Sequence, residues 1–177
     1  MYMSPLNGDV SDDPKTYLAI AAVAAIALIA GGIIILMNNS DNPSPDPVVP
    51  DVDPDEYILR ISGPNGTVYA DLAETDAAKE LIKALEDSPL SIRLQDYEGF
   101  EKVGDLGIKL TRSDVSTVTG PGDIVLYNGK SIVMFYGSNS WQYTSLAKVK
   151  NASADSMKEF LGSGDITLEL SVEKIVN

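Results

Sequence analysis

Residues 17–37 carry no charged side chain: 21 positions of Ala, Ile, Leu, Val and Met, with two glycines, behind Tyr17. At ~1.5 Å per helical residue the run reaches about 31 Å, the thickness of a bilayer's hydrocarbon core, and predicts one transmembrane helix apolar on every face. Residues 38–56, NNSDNPSPDPVVPDVDPDE, hold five prolines and six acidic residues with almost nothing to bury. That composition predicts an extended acidic linker, a stalk of up to ~60 Å at ~3.1 Å per residue. From residue 57 to 177 the pattern changes again. Short apolar or alternating runs recur at 57–61, 67–72, 91–95, 100–106, 123–127, 131–136, 145–149 and 166–175, predicting eight strands.

Turn and helix signals separate these runs. Gly63-Pro64-Asn65-Gly66 joins the first two strands as a hairpin. Asn128-Gly129 lies between DIVLY and SIVMFY, where a type I′ turn needs positive φ at both central residues. TDAAKELIKALEDS has helical spacing, with Ala77, Leu81 and Leu85 on a face shared with Ala78 and Ile82. Thr75 caps it, Asp76 complements its dipole and Ser88-Pro89 closes it. SADSMKEFLGSG repeats the arrangement: Ser153 is the cap, Met157, Phe160 and Leu161 share a face, and Gly162 or Gly164 ends it. Eight strands with two short helices, one after the second strand and one before the last, predict a mainly β fold, a closed eight-stranded barrel capped by helices at its ends.

Charge narrows the function classes. The chain has 13 Lys+Arg against 26 Asp+Glu, a net charge of −13, with no long basic stripe, which argues against nucleic acid and against a basic helix on an anionic lipid surface. It has no His and no Cys. A Ser-His-Asp triad, a thiol nucleophile, an imidazole or thiolate zinc site, an iron–sulfur cluster and disulfides are therefore excluded. Asp51, Asp53 and Asp55 lack the glycine and final Glu of an EF-hand loop, so no metal site and no cofactor is expected.

The apolar run exceeds the ~7–15 residues of a cleaved signal and ends in Ile33-Ile34-Ile35-Leu36-Met37 rather than a small-x-small site. It reads as an uncleaved anchor. Lys15 is the single basic residue near it, which places residues 1–16 inside and residues 38–177 outside the cytoplasm, a single-pass protein of the cell membrane. Sequons at Asn38, Asn65 and Asn151 suit that side of the membrane.

PGDIVLYNGKSIVMFYGSNSWQYTSLAKV, residues 121–149, with DYEGFEKVGDL at 96–106, resembles the cyclophilin-like domain of small bacterial and archaeal proteins. The resemblance covers about 120 residues and implies an eight-stranded barrel with two helices. Cyclophilins themselves isomerise prolyl bonds with a Phe-His-Arg segment, which is absent here. Arg93, in SIRLQ, is the candidate donor to a prolyl amide, and its alternative reading is a strand residue with its guanidinium in water. Tyr136, Asn139, Trp141 and Tyr143, in a segment read as a loop, combine aromatic faces with amide and hydroxyl groups suited to a pocket wall. Equally, they could close the barrel end. Glu101, in the family-like EKVG, joins them from an acidic stretch with Asp96 and Glu98. The reading is a membrane-anchored extracytoplasmic binding module for a peptide or small molecule. The alternative is a peptidyl-prolyl isomerase acting on exported chains.

Overall fold

The computed structural model describes residues 48–176. The predicted membrane span 17–37, its orientation and most of the predicted linker lie outside the described residues. Among the described residues no helix is long and apolar enough to cross a membrane. The last linker residues are tied to the domain: Pro54–Glu56 forms a turn of 3-10 helix capped by the Asp53 carboxylate, and the Glu56 carbonyl accepts from the Ile175 amide at 2.8 Å.

Nine strands and two helices follow in the order β1 (Tyr57–Gly63), β2 (Gly66–Leu72), α1 (Asp76–Asp87), β3 (Leu90–Tyr97), β4 (Glu101–Asp105), β5 (Val115–Thr119), β6 (Asp123–Tyr127), β7 (Ser131–Phe135), β8 (Asn139–Val149), α2 (Ala154–Leu161) and β9 (Ile166–Lys174). Every pairing is antiparallel. Hydrogen bonding runs β2-β1-β9-β3-β4-β7-β6-β8, and β8 pairs back to β2 at Ala70–Val149, so eight strands make a continuous ring. β5 stands outside it, paired only to the first half of β8.

The expected count of eight strands is therefore corrected to nine, and the discrepancy sits in one place. The segment 136–143, read as a loop, is largely the start of β8, and its partner β5 was not foreseen. VSTVT has a hydroxyl at three of five positions and leaves only Thr119 buried, so it carries little apolar alternation. Its strand geometry comes from pairing with β8, which single-sequence periodicity does not register.

The hairpin at Asn128-Gly129 forms as expected, with φ of 51° and 72° at its central residues, and the Lys130 amide donates to the Tyr127 carbonyl at 3.3 Å. Both helix caps are also in place. The Thr75 hydroxyl accepts from the Ala78 amide at 3.1 Å and donates to the Ser145 carbonyl at 2.7 Å, so the same side chain starts α1 and pins it to β8. Ser153 and Ser156 make a reciprocal capping box at α2, which ends at Gly162 with φ 63°.

α1 leaves the end of β2 and enters β3, whereas α2 leaves the end of β8 and enters β9; because β2 and β8 are antiparallel, the helices cover opposite ends of the ring. Their apolar faces, Leu81, Ile82 and Leu85 on one and Met157, Phe160 and Leu161 on the other, join inward residues of the strands in one core. Each such side chain, fully buried, contributes ~1.5–3 kcal/mol.

Candidate functional site

The site arises because two ring strands, β6 and β7, are apolar on both faces. In β6 and β7, Ile124, Leu126, Ile132 and Met134 point inward, while the alternate residues Val125, Val133 and Phe135 are also buried. Strand alternation puts this second set outside the ring, where it forms a small separate cluster with Tyr143 and, at its margin, Phe100, Val103 and Tyr127. Tyr143, from the half of β8 that pairs with β5, packs into it. Tyr143 packs edge-on against Phe135 at 5.7 Å and Tyr127 at 6.2 Å between ring centroids. On β8, Asn139, Trp141 and Tyr143 alternate onto one face with Thr119, Thr117 and Val115 of β5 as their partners.

Glu101 enters this cluster at the start of β4, opposite Phe135 and beside Tyr97. It is 5 % exposed, and its Oε2 has no hydrogen-bond partner in the protein. Burial pushes its pKa up from 4.5 to about 7; the Asn139 amide favours the anion, and the charge of Glu98 opposes it. Asn139 Nδ2 donates to the Tyr143 hydroxyl at 3.1 Å. Burial, reinforced by the charge of Glu101, pushes the Tyr143 phenol up to about 12. Trp141, between Asn139 and Tyr143 on their face of the strand, is 53 % exposed.

The next residue, Lys102, turns to the inner face and is fully buried. Its ammonium donates to Asp96 Oδ1 at 3.2 Å and to the Gly164 carbonyl, and the Tyr136 hydroxyl donates to the same Asp96 oxygen at 2.7 Å. The Tyr136 hydrogen bond and then Lys102 hold Asp96 below the usual carboxylate range against partial burial. Burial, with the hydrogen bond to Asp96, pushes Tyr136 up to about 12.

Of the residues singled out by sequence, Glu101, Asn139 and Tyr143 come together, and Trp141 shares the face of β8 that carries Asn139 and Tyr143. Tyr136 lies in the inner core, in the Asp96–Lys102 network. Arg93 is exposed and paired with Asp165 at 2.9 Å, on the same face of β3 as Tyr97 but four residues away, about 13 Å along the strand. Asp53, Asp55 and Glu74, all exposed, bring carboxylate oxygens within 4.8 Å of one another, without Asp51. Sequence reasoning missed Lys102, whose burial between two carboxylate-bearing segments leaves no trace in local pattern, and the apolar doubling of β6 and β7, which DIVLY and SIVMF do display.

A profile of the cyclophilin-like family matches residues 61–171, all but the first and last few residues of the ring. The chain belongs to the cyclophilin-like family. The solution structure of a hypothetical protein from Archaeoglobus fulgidus superposes on this cyclophilin-like domain with a TM-score of 0.51, at 14 % identity, covering 66 % of this chain and 94 % of the archaeal one. That likeness concerns the fold. No curated protein matches the chain. Within the cyclophilin-like domain, the segments that suggested the family, 96–106 and 121–149, include β4 and the whole β6–β7–β8 face that holds Glu101.

Proposed function

We propose that this chain is a membrane-anchored, extracytoplasmic binding module, its cyclophilin-like barrel taking a ligand on the outer face where Tyr143 of β8 packs. The uncharged run 17–37 supports the anchor and Lys15 the orientation. One observation carries the binding site: a buried carboxylate oxygen of Glu101 without a partner, beside Asn139 and Tyr143, on a strand face of β8 that also carries the exposed Trp141. Buried polar groups are nearly always satisfied, and leaving one unsatisfied costs about 1–3 kcal/mol. A ligand that supplies the missing donor recovers that cost. Aromatic faces with a few convergent polar groups are what small-molecule and peptide sites use.

Trp141 is the only tryptophan, so its emission reports on this face alone. The full chain in non-ionic detergent, titrated with a panel of capped tetrapeptides and amino-acid derivatives, should show a saturable change in Trp141 emission for part of the panel. A flat response to every compound would remove the site. Protease treatment of intact cells and of inverted vesicles tests the topology: residues 57–177 should be cleaved from the outer side only. Prolyl isomerisation is tested in the same preparation, where the binding reading expects the slow uncatalysed rate, tens of seconds or longer, to be unchanged.

A further inference from the structure

We propose that the Glu101 site selects a protonated amine, as carried by a lysine side chain or a small alkylamine. This rests on the reading of that face as a ligand site. Glu101 offers one carboxylate oxygen, Oε2, with no donor, and Glu98 sits near enough for its charge to act on Glu101. Neither carboxylate is in an ion pair among the described residues. The nearest ammonium in sequence, Lys102, is committed to Asp96 and Gly164 on the other side of the strand.

The surroundings favour a cation over a neutral donor. Tyr97 and Phe135 are the strand partners of Glu101, Phe100 precedes it and Tyr143 packs edge-on against Phe135, so aromatic side chains border the group, and ring faces attract an ammonium held within ~6 Å. Tyr97, opposite Glu101 on β3, is 46 % exposed, and Trp141, on the face of β8 that carries Asn139 and Tyr143, is 53 % exposed. Burying an anion is costly, and an ion of opposite sign that also donates a hydrogen bond offsets that cost better than an amide does. The folded segment 57–177, with 17 Asp+Glu against 12 Lys+Arg, draws cations toward it at longer range.

The test uses the full chain with three probes: Nα-acetyl-lysine methylamide, n-butylamine, and the Nε-acetylated form of the first. Trp141 emission and the Tyr143 and Trp141 resonances are followed. The lysine derivative should bind about tenfold or more tightly than its neutral acetylated form, the margin expected of one charge-assisted hydrogen bond. Glu101→Gln should abolish that preference, and Glu98→Gln, at an exposed position, should reduce it about two- to threefold. Butylamine matching the lysine derivative identifies a free amine as the source; tighter binding of the lysine derivative identifies a polypeptide. Equal binding of charged and acetylated probes, unaffected by Glu101→Gln, overturns the amine while the site stands. No response to any probe or to the wider peptide panel overturns both.

Discussion

Replacing Glu101 by glutamine removes one ionisable group from the aromatic cluster while keeping its shape, and the consequence depends on pH. An acid whose pKa rises on folding gives its full stabilisation below the unfolded value and loses it as pH climbs through the folded value. For Glu101 that window runs from 4.5 to about 7. At ~1.4 kcal/mol per pH unit, the native chain should lose about 3 kcal/mol across it relative to the variant. The charged groups facing Glu101 do not blur the comparison. Glu98 is exposed, and the phenols of Tyr143 and Tyr136 stay protonated well past this range. The glutamine amide leaves a buried donor of its own, costing ~1 kcal/mol at every pH. Near pH 4.5 the variant should be equal to or slightly less stable than the native chain, and at pH 8 about 2 kcal/mol more stable, a rise of ~8 °C in Tm for a domain of this size. Thermal unfolding of the full chain in detergent, followed by near-ultraviolet circular dichroism between pH 4 and 8, measures it. Two curves that stay parallel across the range would refute the reasoning.

Alkaline titration at 295 nm should show two of the eight tyrosines, Tyr136 and Tyr143, ionising near 12 rather than 10, with stability falling as pH rises through that interval; eight equivalent phenols near 10 would contradict their burial. Asp96→Ala strands the fully buried Lys102 ammonium on one carbonyl and should cost ~3–5 kcal/mol. Lys102→Met leaves a part-exposed carboxylate still held by Tyr136 and should cost ~1 kcal/mol, so the reverse ranking in urea unfolding defeats this account. Gly104→Ala drives a methyl into the Arg93 carbonyl and Leu94 on the neighbouring strand and should cost ~2–3 kcal/mol by the same assay, with a cost under ~0.5 kcal/mol counting against the close approach of β4 to β3. Amide hydrogen exchange should be fastest in β5 among the nine strands; protection there equal to β6 and β7 would show the ribbon to be as firmly held as the ring.

How much was legible in sequence follows from which elements carry their own signal. α1 and α2 do so completely: cap, apolar face and terminator all lie within fourteen residues, and each side chain read as buried, from Ala77 to Leu161, is buried. Ring strands such as β1 and β9 do so through period-two burial, as in Leu59 and Ile61 or Leu168 and Leu170, and β6 and β7 through unbroken apolar runs. β5 does not, because Ser116, Thr117 and Val118 bury too little to impose a period, and its partner stretch Asn139–Tyr143 mixes polar and aromatic residues in the same way. Site residues were legible by chemistry rather than by position. Asn139, Trp141 and Tyr143 stand two apart in a segment read as loop, and only the strand geometry shows that this spacing sets them on one face. Tyr136, one residue beyond the end of β7, falls on the inner side by the same alternation, which no composition argument could decide.

The two-faced burial of β6 and β7 links fold to function. A strand of a ring needs one apolar face; DIVLY and SIVMF have two, so the sequence commits residues to an outer cluster that the ring alone would leave in water. From the β5–β8 ribbon, whose residues bury little of their own, the side chain that packs on that cluster is Tyr143. It is the ribbon's main anchor, held between Phe135 and Tyr127. Glu101 sits beneath that anchor as an acid near its midpoint at neutral pH, in contact with a cover secured by few apolar groups. A purely structural cluster would place an apolar residue there, since burying a lone carboxyl weakens the cover it lies under. The unpartnered carboxylate oxygen at position 101 is the feature on which the proposed ligand site rests.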